Sequence, residues 1–364
     1  MKNKITIHIL FMLAVMLFVA CSPAEEEVTD PIVEDTQEDT QEDMQEEEPA
    51  EASMEVQDIQ TYENIFMTDW LEDNQVIALK ENEELDTLTL EELSEQHPTS
   101  IYGFDVESED MTLILGKENV NLGDAKISPN RTYLLYSEYT LGDPAYYIHN
   151  LNSEEFFSLS GDPIGGAMSA KWVEGNEVIG TAYAGGLFRA DIRGEVHLVE
   201  EITEEMIYLI EKMDNTIFYN TGNNPSLIAY NLETQESISL PFNDVRDMIA
   251  SPSGEHLLIV GGSDTGVILY LYDSIEETQM TLAEGASISG ISVSTSGRRI
   301  AYVLTPEDAV EGTLFVQDLA LDAKEEIADG INYGTTSWSP SENQLIYTSY
   351  DGENTNSSIV TFAE

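Results

Sequence analysis

A short pattern, a polar turn followed by a burst of apolar residues, recurs along most of this chain. Clear copies read SPNRTYLLYSEY from Ser128, SPSGEHLLIVGG from Ser251 and SPSENQLIYTSY from Ser339. Looser copies lie near Asp69, Lys171, Lys212 and Ser294. Equivalent positions in successive copies are 39 to 45 residues apart, except for a first interval of 58. A repeat of this length predicts the blades of a β-propeller.

Each copy divides into four predicted strands. In the copy that starts near Val245, the strands are VRDMIASPS, EHLLIVGG, VILYLYD and TQMTLAE. The second strand is apolar without alternation, as expected of a strand covered on both sides by neighbouring blades. Seven third strands can be counted, most of them ending in an Asp or Asn suited to bond its own turn. The sequence therefore favours an all-β fold, a β-propeller of seven four-stranded blades, with six blades as the alternative.

The last copy ends after three strands, at Phe362. A blade left in that state would present an unpaired strand edge. The segment MEVQDIQTYENI, residues 54–65, lies just ahead of the first copy and alternates in the manner of a strand. We predict that this segment pairs beside the last blade and closes the ring.

The three tryptophans, Trp70, Trp172 and Trp338, fall at the same point of their copies. A residue type that recurs at one point of a structural repeat indicates a role in the repeat itself. We predict that these indoles pack between blades, in preference to stacking on a ligand.

The amino-terminal region has the composition of an exported lipoprotein. Lys2 and Lys4 precede an apolar run that ends at Ala20, which indicates a secretory signal over residues 1–20. The Phe-Val-Ala-Cys sequence resembles a bacterial lipobox, which implies diacylation of Cys21, the single cysteine of the chain. A plain signal peptide that happens to contain a cysteine is the alternative. Residues 21–53 are predicted to be an acidic tether, and residues 54–364 the propeller.

The charge of the chain limits its partners. The formal net charge is −56, and residues 61–364 hold 54 acidic residues against 12 Lys and Arg. Such a surface repels nucleic acid and other polyanions. We expect no nucleic-acid partner, and we interpret the acidity mainly as a means of staying soluble outside the cell, with cation binding as the alternative.

The turn-and-strand phrases resemble the TolB-type, WD40-like propeller repeat, typically Trp-Ser-Pro-Asp-Gly followed by an apolar strand. The resemblance covers nearly the whole chain after residue 60, although Asn130, Ser253, Ser296 and Ser341 stand where that repeat has Asp. Together with the lipobox, the chain looks most similar to the YqgU-like propeller lipoproteins of bacilli. That resemblance implies six blades and a lipid-anchored protein on the extracytoplasmic side of the cell membrane. The TolB likeness implies docking of a protein.

The sequence holds no motif of a known catalytic or metal site. An HExxH pair, a GxSxG nucleophile elbow and a spaced Cys/His cluster are all missing. We therefore expect a non-catalytic binding scaffold without a cofactor, metal or catalytic residue, monomeric, whose partner is an envelope protein, a peptide or a glycan. The alternative is an envelope carbohydrate hydrolase with a carboxylate pair in the propeller pocket, since that chemistry needs only two carboxyl groups.

The long first interval locates a candidate working surface. Its surplus is ENEELDTLTLEELSEQHPTS, residues 81–100, between the second and third strands of the first copy. Thr89 to Glu92 fit a capping box and Pro98 ends the run, which predicts a short helix. An insertion on one face of a repeat array often marks its binding side, although a decorative loop is equally compatible. The predicted partner-binding rim comprises Leu90, Leu93, Tyr139, Asp143, Tyr146 and Tyr147.

Overall fold

The protein is described from a computed structural model. It describes residues 54–204, 206–332, 334–350, 352 and 354–363. The predicted signal, the lipidation site at Cys21 and the acidic tether lie outside these residues. No helix in the described part of the chain has the length and apolarity needed to span a bilayer.

In the described residues, twenty-nine β-strands form seven small antiparallel sheets, which are the blades of a seven-bladed propeller. The strands are β1 (Val56–Tyr62), β2 (Phe66–Glu72), β3 (Gln75–Glu81), β4 (Thr99–Asp105), β5 (Met111–Leu115), β6 (Asn121–Ile127), β7 (Tyr133–Tyr139), β8 (Ala145–Asn150), β9 (Phe156–Ser158), β10 (Ser160–Gly161), β11 (Gly165–Val173), β12 (Glu177–Ala182), β13 (Leu187–Ala190), β14 (Val196–Leu198), β15 (Ile207–Met213), β16 (Thr216–Thr221), β17 (Asn224–Asn231), β18 (Glu236–Ser239), β19 (Asp247–Ala250), β20 (His256–Gly262), β21 (Val267–Asp273), β22 (Thr278–Gly285), β23 (Ser287–Val293), β24 (Arg299–Thr305), β25 (Gly312–Asp318), β26 (Ala323–Ile331), β27 (Thr336–Trp338), β28 (Gln344–Tyr350) and β29 (Thr355–Phe362).

The blades follow one another along the chain. Blade I is β2–β5, blade II β6–β9, blade III β11–β14, blade IV β15–β18, blade V β19–β22, blade VI β23–β26, and blade VII β27–β29 with β1. The two-residue strand β10 adds to the inner edge of blade III. The first strands of successive blades are neighbours around the ring, and β27 contacts β2. The predicted count of seven blades is confirmed, and the six-bladed alternative is wrong.

The second strand of each blade is the centre of the core, as the uninterrupted apolar runs predict. In β20, residues Leu257 to Val260 are all buried. Alternate side chains of one strand belong to different clusters: Leu257 and Ile259 pack toward blade IV, and Leu258 and Val260 toward blade VI. The strand is apolar on both sides because a neighbouring blade covers each side.

The ring is closed by the segment that precedes blade I. Strand β1 pairs antiparallel with β29, so that Ile59 lies opposite Val360 and Tyr62 opposite Ser357. Within blade VII, β1 is therefore the outermost strand. The prediction that residues 54–65 supply the missing strand is confirmed.

The chain alternates between two faces of the ring. The lower face carries the turns between first and second strands and between third and fourth strands. The upper face carries the loops between second and third strands and those that lead to the next blade. Both described chain ends lie at the lower face, where the Ala363 backbone N–H donates to the Glu55 carbonyl at 2.8 Å.

Turns on the lower face repeat from blade to blade. Six third strands end in an Asp or Asn whose side-chain oxygen accepts backbone N–H groups two to four residues later, at Asp105, Asn150, Asp191, Asn231, Asp273 and Asp318. These bonds satisfy donors that the tight turns leave free. The predicted role of the terminal Asp or Asn is confirmed.

The three tryptophans occupy equivalent positions at the ends of first strands. Trp70 is buried and its Nε1 donates to the Ser337 carbonyl at 2.9 Å, across the boundary from blade I to blade VII. Trp172 is half-buried, and its Nε1 donates to the Lys126 carbonyl at 3.0 Å, from blade III to blade II. Trp338 is buried and stacks on Phe362 within blade VII. Trp70 and Trp172 thus join neighbouring blades as predicted, whereas the stacking partner of Trp338 belongs to its own blade.

Candidate partner-binding face

Exposed tyrosines are confined to the upper face of the described structure. Tyr139, Tyr183 and Tyr350 stand at or just after the ends of second strands, in blades II, III and VII. Tyr208 lies near the start of the first strand of blade IV and is 62% exposed. Leu141, Met168 and Met206 are also exposed there. At the lower end of the described blades, the exposed large apolar side chains include Ile275 and Leu321 in the turns and Phe156 at the start of β9.

The insert of blade I lies on this upper face, between β3 and β4. The two ends of the insert are joined by a hydrogen bond from the Asn82 backbone N–H to the Pro98 carbonyl. Within the insert, the backbone N–H of the buried Leu88 donates to the Gln96 carbonyl. Thr89 reaches the neighbouring loop, where its N–H and hydroxyl both donate to Asn119 Oδ1. The insert is therefore an ordered part of the face.

The helix predicted within the insert is a single turn of 3₁₀ helix at Glu91–Leu93. No side chain caps its N-terminus, so the predicted capping box is wrong. The reason is local: the Thr89 side chain is already bonded to Asn119, and the N-cap position is taken by Leu90. Leu90 is left exposed and Leu93 half-buried.

A cavity of about 870 Å³ opens on the upper face where blades VII, I and II meet. One wall comes from the end of β3 and the start of the insert, with Lys80, Glu81 and Glu83. Asp124 and Tyr139 of blade II form the opposite wall. The remaining lining residues are Asn64, Phe66, Leu79, Thr99, Gly123, Ser137, Gly142, Pro144, Asn354 and Thr355.

Asp124 is held in a fixed orientation within this cavity. It lies in a bulge of β6, between the paired residues Gly123 and Lys126, with φ of 50°. Its Oδ2 accepts hydrogen bonds from Ser137 Oγ at 2.9 Å and from the Tyr146 hydroxyl at 3.3 Å. Burial raises the pKa of Tyr139 and of Tyr146, and the charge of Asp124 raises both further. Within the described residues, Oδ1 accepts no hydrogen bond, and Asp124 is one of the residues that line the cavity.

The six residues of the predicted rim have different positions. Tyr139 lines the cavity, and the exposed Asp143 lies between two lining residues, Gly142 and Pro144. Tyr146 is buried and supports Asp124 from behind. Tyr147 points to the other side of β8, where it stacks on Tyr136 at 5.6 Å. Leu90 and Leu93 lie on the insert, outside the cavity wall.

Most residues of this face were not predicted from the sequence. Asp124, Glu81 and Glu83 gave no signal, because an acidic residue in a strongly acidic chain does not stand out. A signal for the tyrosines was present: YSEYT, GTAYAG and YTSYD each place a Tyr where a second strand ends. Comparison of second strands across the copies would have identified Tyr183 and Tyr350.

A second group of charged residues lies on the first strands of blades III, IV and V. Lys171 Nζ is 2.5 Å from Oε2 of the buried Glu211. Burial raises the pKa of nearby Asp247, although the positive charge of Lys171 opposes the shift. None of the five cavities described in the structure has Asp247 in its wall.

No group of three or more His, Cys, Asp or Glu side chains in the described ranges is placed to hold a metal ion. His149 is buried and stacks on Phe156 with ring centroids 4.3 Å apart. Burial lowers its pKa. His197 lines a side cavity between blades III and IV, far along the chain from the insert.

The chain is similar in fold to several solved structures. An oligogalacturonate lyase from Vibrio parahaemolyticus matches with a TM-score of 0.61 at 11% identity, over 84% of this chain and 92% of that chain. An oligogalacturonate lyase in complex with manganese matches with a TM-score of 0.61 at 12% identity, over 86% and 95%. TolB from Acinetobacter baumannii matches with a TM-score of 0.47 at 14% identity, over 73% of this chain and 60% of the TolB chain, so this chain spans less than two thirds of TolB.

No protein-family model and no curated protein matches the sequence. At identities this low, the similarity to the two lyases shows that the chain has a β-propeller fold and says nothing about its chemistry.

Proposed function

We propose that this protein is a membrane-anchored, extracytoplasmic lipoprotein whose propeller is a non-catalytic scaffold that binds a partner through its upper face. The observation that carries the proposal is that the exposed tyrosines share one face with the insert and with the largest described cavity, which Tyr139 lines. Tyr and Met are enriched in protein interfaces, and Tyr often dominates binding energy. Within this proposal the chain belongs with the YqgU-like propeller lipoproteins.

The anchor is the acylated thiol of Cys21, followed by the acidic tether. Cys21→Ser removes the thiol that carries the lipid, so a palmitate analogue should label the wild type and leave the variant unlabelled. Equal labelling of both proteins would contradict the anchor. Binding by the upper face stands or falls separately from this result.

Partner binding is tested by capture from detergent-solubilised envelopes with the full-length protein. The upper-face variant Tyr139→Ala/Tyr183→Ala/Tyr208→Ala should lose the partner that the wild type recovers. The matched control is Ile275→Ala/Leu321→Ala, which removes exposed apolar side chains from the lower face and should retain it. Equal recovery by wild type and both variants would exclude the upper face as the binding surface.

A carbohydrate hydrolase is the second candidate, and Asp247 is the observation that favours it. A carboxyl group with a raised pKa beside a second carboxylate, Glu211, is an arrangement that glycosidases use as acid and base. Asp247 lies outside the walls of the five cavities described above, which favours the scaffold. Release of reducing ends from cell-wall glycans by the wild type, lost in Asp247→Asn, would replace the scaffold with the enzyme.

A further inference from the structure

We propose that the upper-face cavity binds a Lys or Arg side chain of an extended basic segment in the protein partner, with Asp124 as its counter-ion and the Tyr139 ring beside it. This inference rests on the proposed function, because it names the chemistry of the partner that the upper face would bind. Asp124, Tyr139, Glu81 and Glu83 line one cavity.

The first feature that supports the proposal is that the cavity carboxylates have no ion-pair partner among the described residues. Some carboxylates of the blades have cations of their own: Glu138 is paired with Lys117, Glu211 with Lys171 and Glu177 with Arg189. In the part of the chain that the structure describes, Asp124, Glu81 and Glu83 have no ion-pair partner. Lys80 is the single basic residue in the cavity wall, so the cavity carries excess negative charge.

The Asp124 carboxylate is already fixed in position by hydrogen bonds. Ser137 and Tyr146 hold one carboxylate oxygen with neutral donors, which fix its position without cancelling its charge. The other oxygen of this cavity-lining carboxylate accepts no hydrogen bond within the described residues. A carboxylate fixed in this way accepts a charged N–H donor without losing further side-chain freedom, and such charge-assisted bonds are stronger than neutral ones.

The Tyr139 ring lies close to Asp124 in the cavity wall. A Cβ added at Gly123 would come within 2.8 Å of Tyr139 Cε1, so the ring lies directly against the backbone next to Asp124. Tyr139 is 38% exposed and lines the cavity. An aromatic ring beside a carboxylate attracts an ammonium or guanidinium group through both the ring and the charge.

The size and surroundings of the cavity indicate the class of ligand. A volume of about 870 Å³ exceeds what a single amine fills and lies within the range of ligand sites, so it suits several residues of a peptide. Exposed Leu141 and Tyr350 beside the cavity provide apolar contacts for residues that flank the basic one. Polyanions are repelled by the acidic domain, and a neutral glycan gains nothing from the uncompensated charge.

The test measures binding of labelled peptides to the full-length protein by fluorescence anisotropy at physiological salt. The probe is a twelve-residue peptide of alternating Lys and Ala, and matched peptides with Gln or Glu in place of Lys should not bind. Asp124→Asn should weaken binding of the Lys peptide about tenfold, the loss expected for one charged hydrogen bond. Asn keeps an acceptor for Ser137 and Tyr146 and tolerates a positive φ, so the fold should be retained.

Two control variants separate a site from diffuse attraction to an acidic protein. Asp264→Asn removes a charge from the exposed upper loop of blade V, away from the cavity wall, and Asp322→Asn removes one from the lower face; each should change binding less than twofold. Equal weakening by all three variants would show attraction by net charge alone and overturn the site. Spermine that displaces the peptide at equal amine concentration would overturn the peptide as ligand in favour of a small polyamine.

Failure of this inference can be told apart from failure of the proposed function. If the Lys peptide does not bind but partner capture still depends on the upper-face tyrosines, the partner has other chemistry and the scaffold remains. If capture is also unchanged in the tyrosine variant, the upper face has no binding role.

Discussion

The two faces of the propeller are built by the same strands but differ in almost everything else. On the lower face, Ser128, Ser251, Ser294 and Ser339 are all buried and each hydroxyl bonds within its own turn. On the upper face, loops range from the two residues between β16 and β17 to the seventeen-residue insert of blade I. The lower face repeats because it holds the blades together, and the upper face varies because little of the fold depends on it.

Contacts between blades explain why the lower face is constrained. The backbone N–H of the third turn residue donates to a side chain in the turn of the next blade in three places: Asn130 to Asn176, Ser296 to Glu342, and Ser341 to Asp73. Arg131 extends the series by donating from Nη1 to the Trp70 carbonyl at 2.9 Å. A substitution in one lower turn therefore affects two blades, whereas an upper loop can change alone.

Removal of strand β1 should produce the largest loss of stability. Deleting residues 54–63 exposes the edge of β29 and should cost several kcal/mol through lost ladder bonds and burial. Deleting residues 24–50, outside the closing strand, should leave the melting temperature unchanged. Thermal melts of the two truncations measure the difference; identical melts would mean that ring closure contributes nothing.

Trp70→Ala should be the most damaging single substitution near the lower face. The side chain is buried and its indole bonds to blade VII, so truncation should cost about 3–5 kcal/mol. Trp172→Ala is the matched control at the same repeat position, and its half-buried indole should cost clearly less. Urea denaturation of both variants gives the two values. A larger loss at Trp172 would contradict the packing described here.

Ser339→Ala on the lower face should reduce stability more than Tyr208→Ala on the upper face, although serine is the smaller residue. The Ser339 hydroxyl is buried and accepts from the Gln344 N–H at 3.1 Å, so its removal should cost about 1–3 kcal/mol. Tyr208→Ala removes far more atoms from an exposed site and should change stability by less than about 0.5 kcal/mol. If calorimetry reverses this order, the lower face is not the structural one.

The smallest effect should come from a tyrosine inside a blade, and only at alkaline pH. Burial raises the pKa of Tyr302 from its ordinary 10.0 to about 12. Below pH 10 the Tyr302 hydroxyl is protonated in both the folded and the unfolded chain. As the pH rises from 10 toward 12, the unfolded chain loses this proton first, so the free energy of unfolding falls. Tyr302→Phe removes this titration and therefore the fall in stability above pH 10. The Tyr302 hydroxyl has no hydrogen-bond partner in the described residues, so stability at pH 7 should be nearly unchanged.

Melting temperatures of wild type and Tyr302→Phe at pH 8, 9, 10 and 11 provide the readout. The variant should decline less steeply above pH 10. Parallel decline would show that the buried tyrosine hydroxyl does not affect alkaline stability.

Prediction from sequence succeeded where the repeat carries the information. The period predicted the blades, the apolar runs predicted the buried second strands, and the incomplete last copy predicted the pairing of β1 with β29. Each of these is a local pattern that the repetition confirms several times over. The terminal Asp and Asn residues were predictable for the same reason, since six copies place them alike.

The candidate site was less predictable because it depends on unique features. The cavity combines Asn64, Glu81, Asp124 and Thr355, which lie far apart in the sequence and meet only because the ring closes. The bulge that orients Asp124 leaves no mark in NLGDAKIS. Tyr147 was grouped with Tyr146 because they are adjacent, yet consecutive residues of a strand point to opposite sides.

The closing strand also has a mechanical consequence. β1 runs from the lower face, where the described chain begins, to the upper face, and its hydrogen bonds to β29 lie across that direction. A pull between a tethered amino terminus and a partner held on the upper face would act along the strand. The bonds of the β1–β29 ladder would then be strained together in shear, instead of opening one after another as in a zipper. The ladder that closes the ring is therefore arranged in shear with respect to a force along β1.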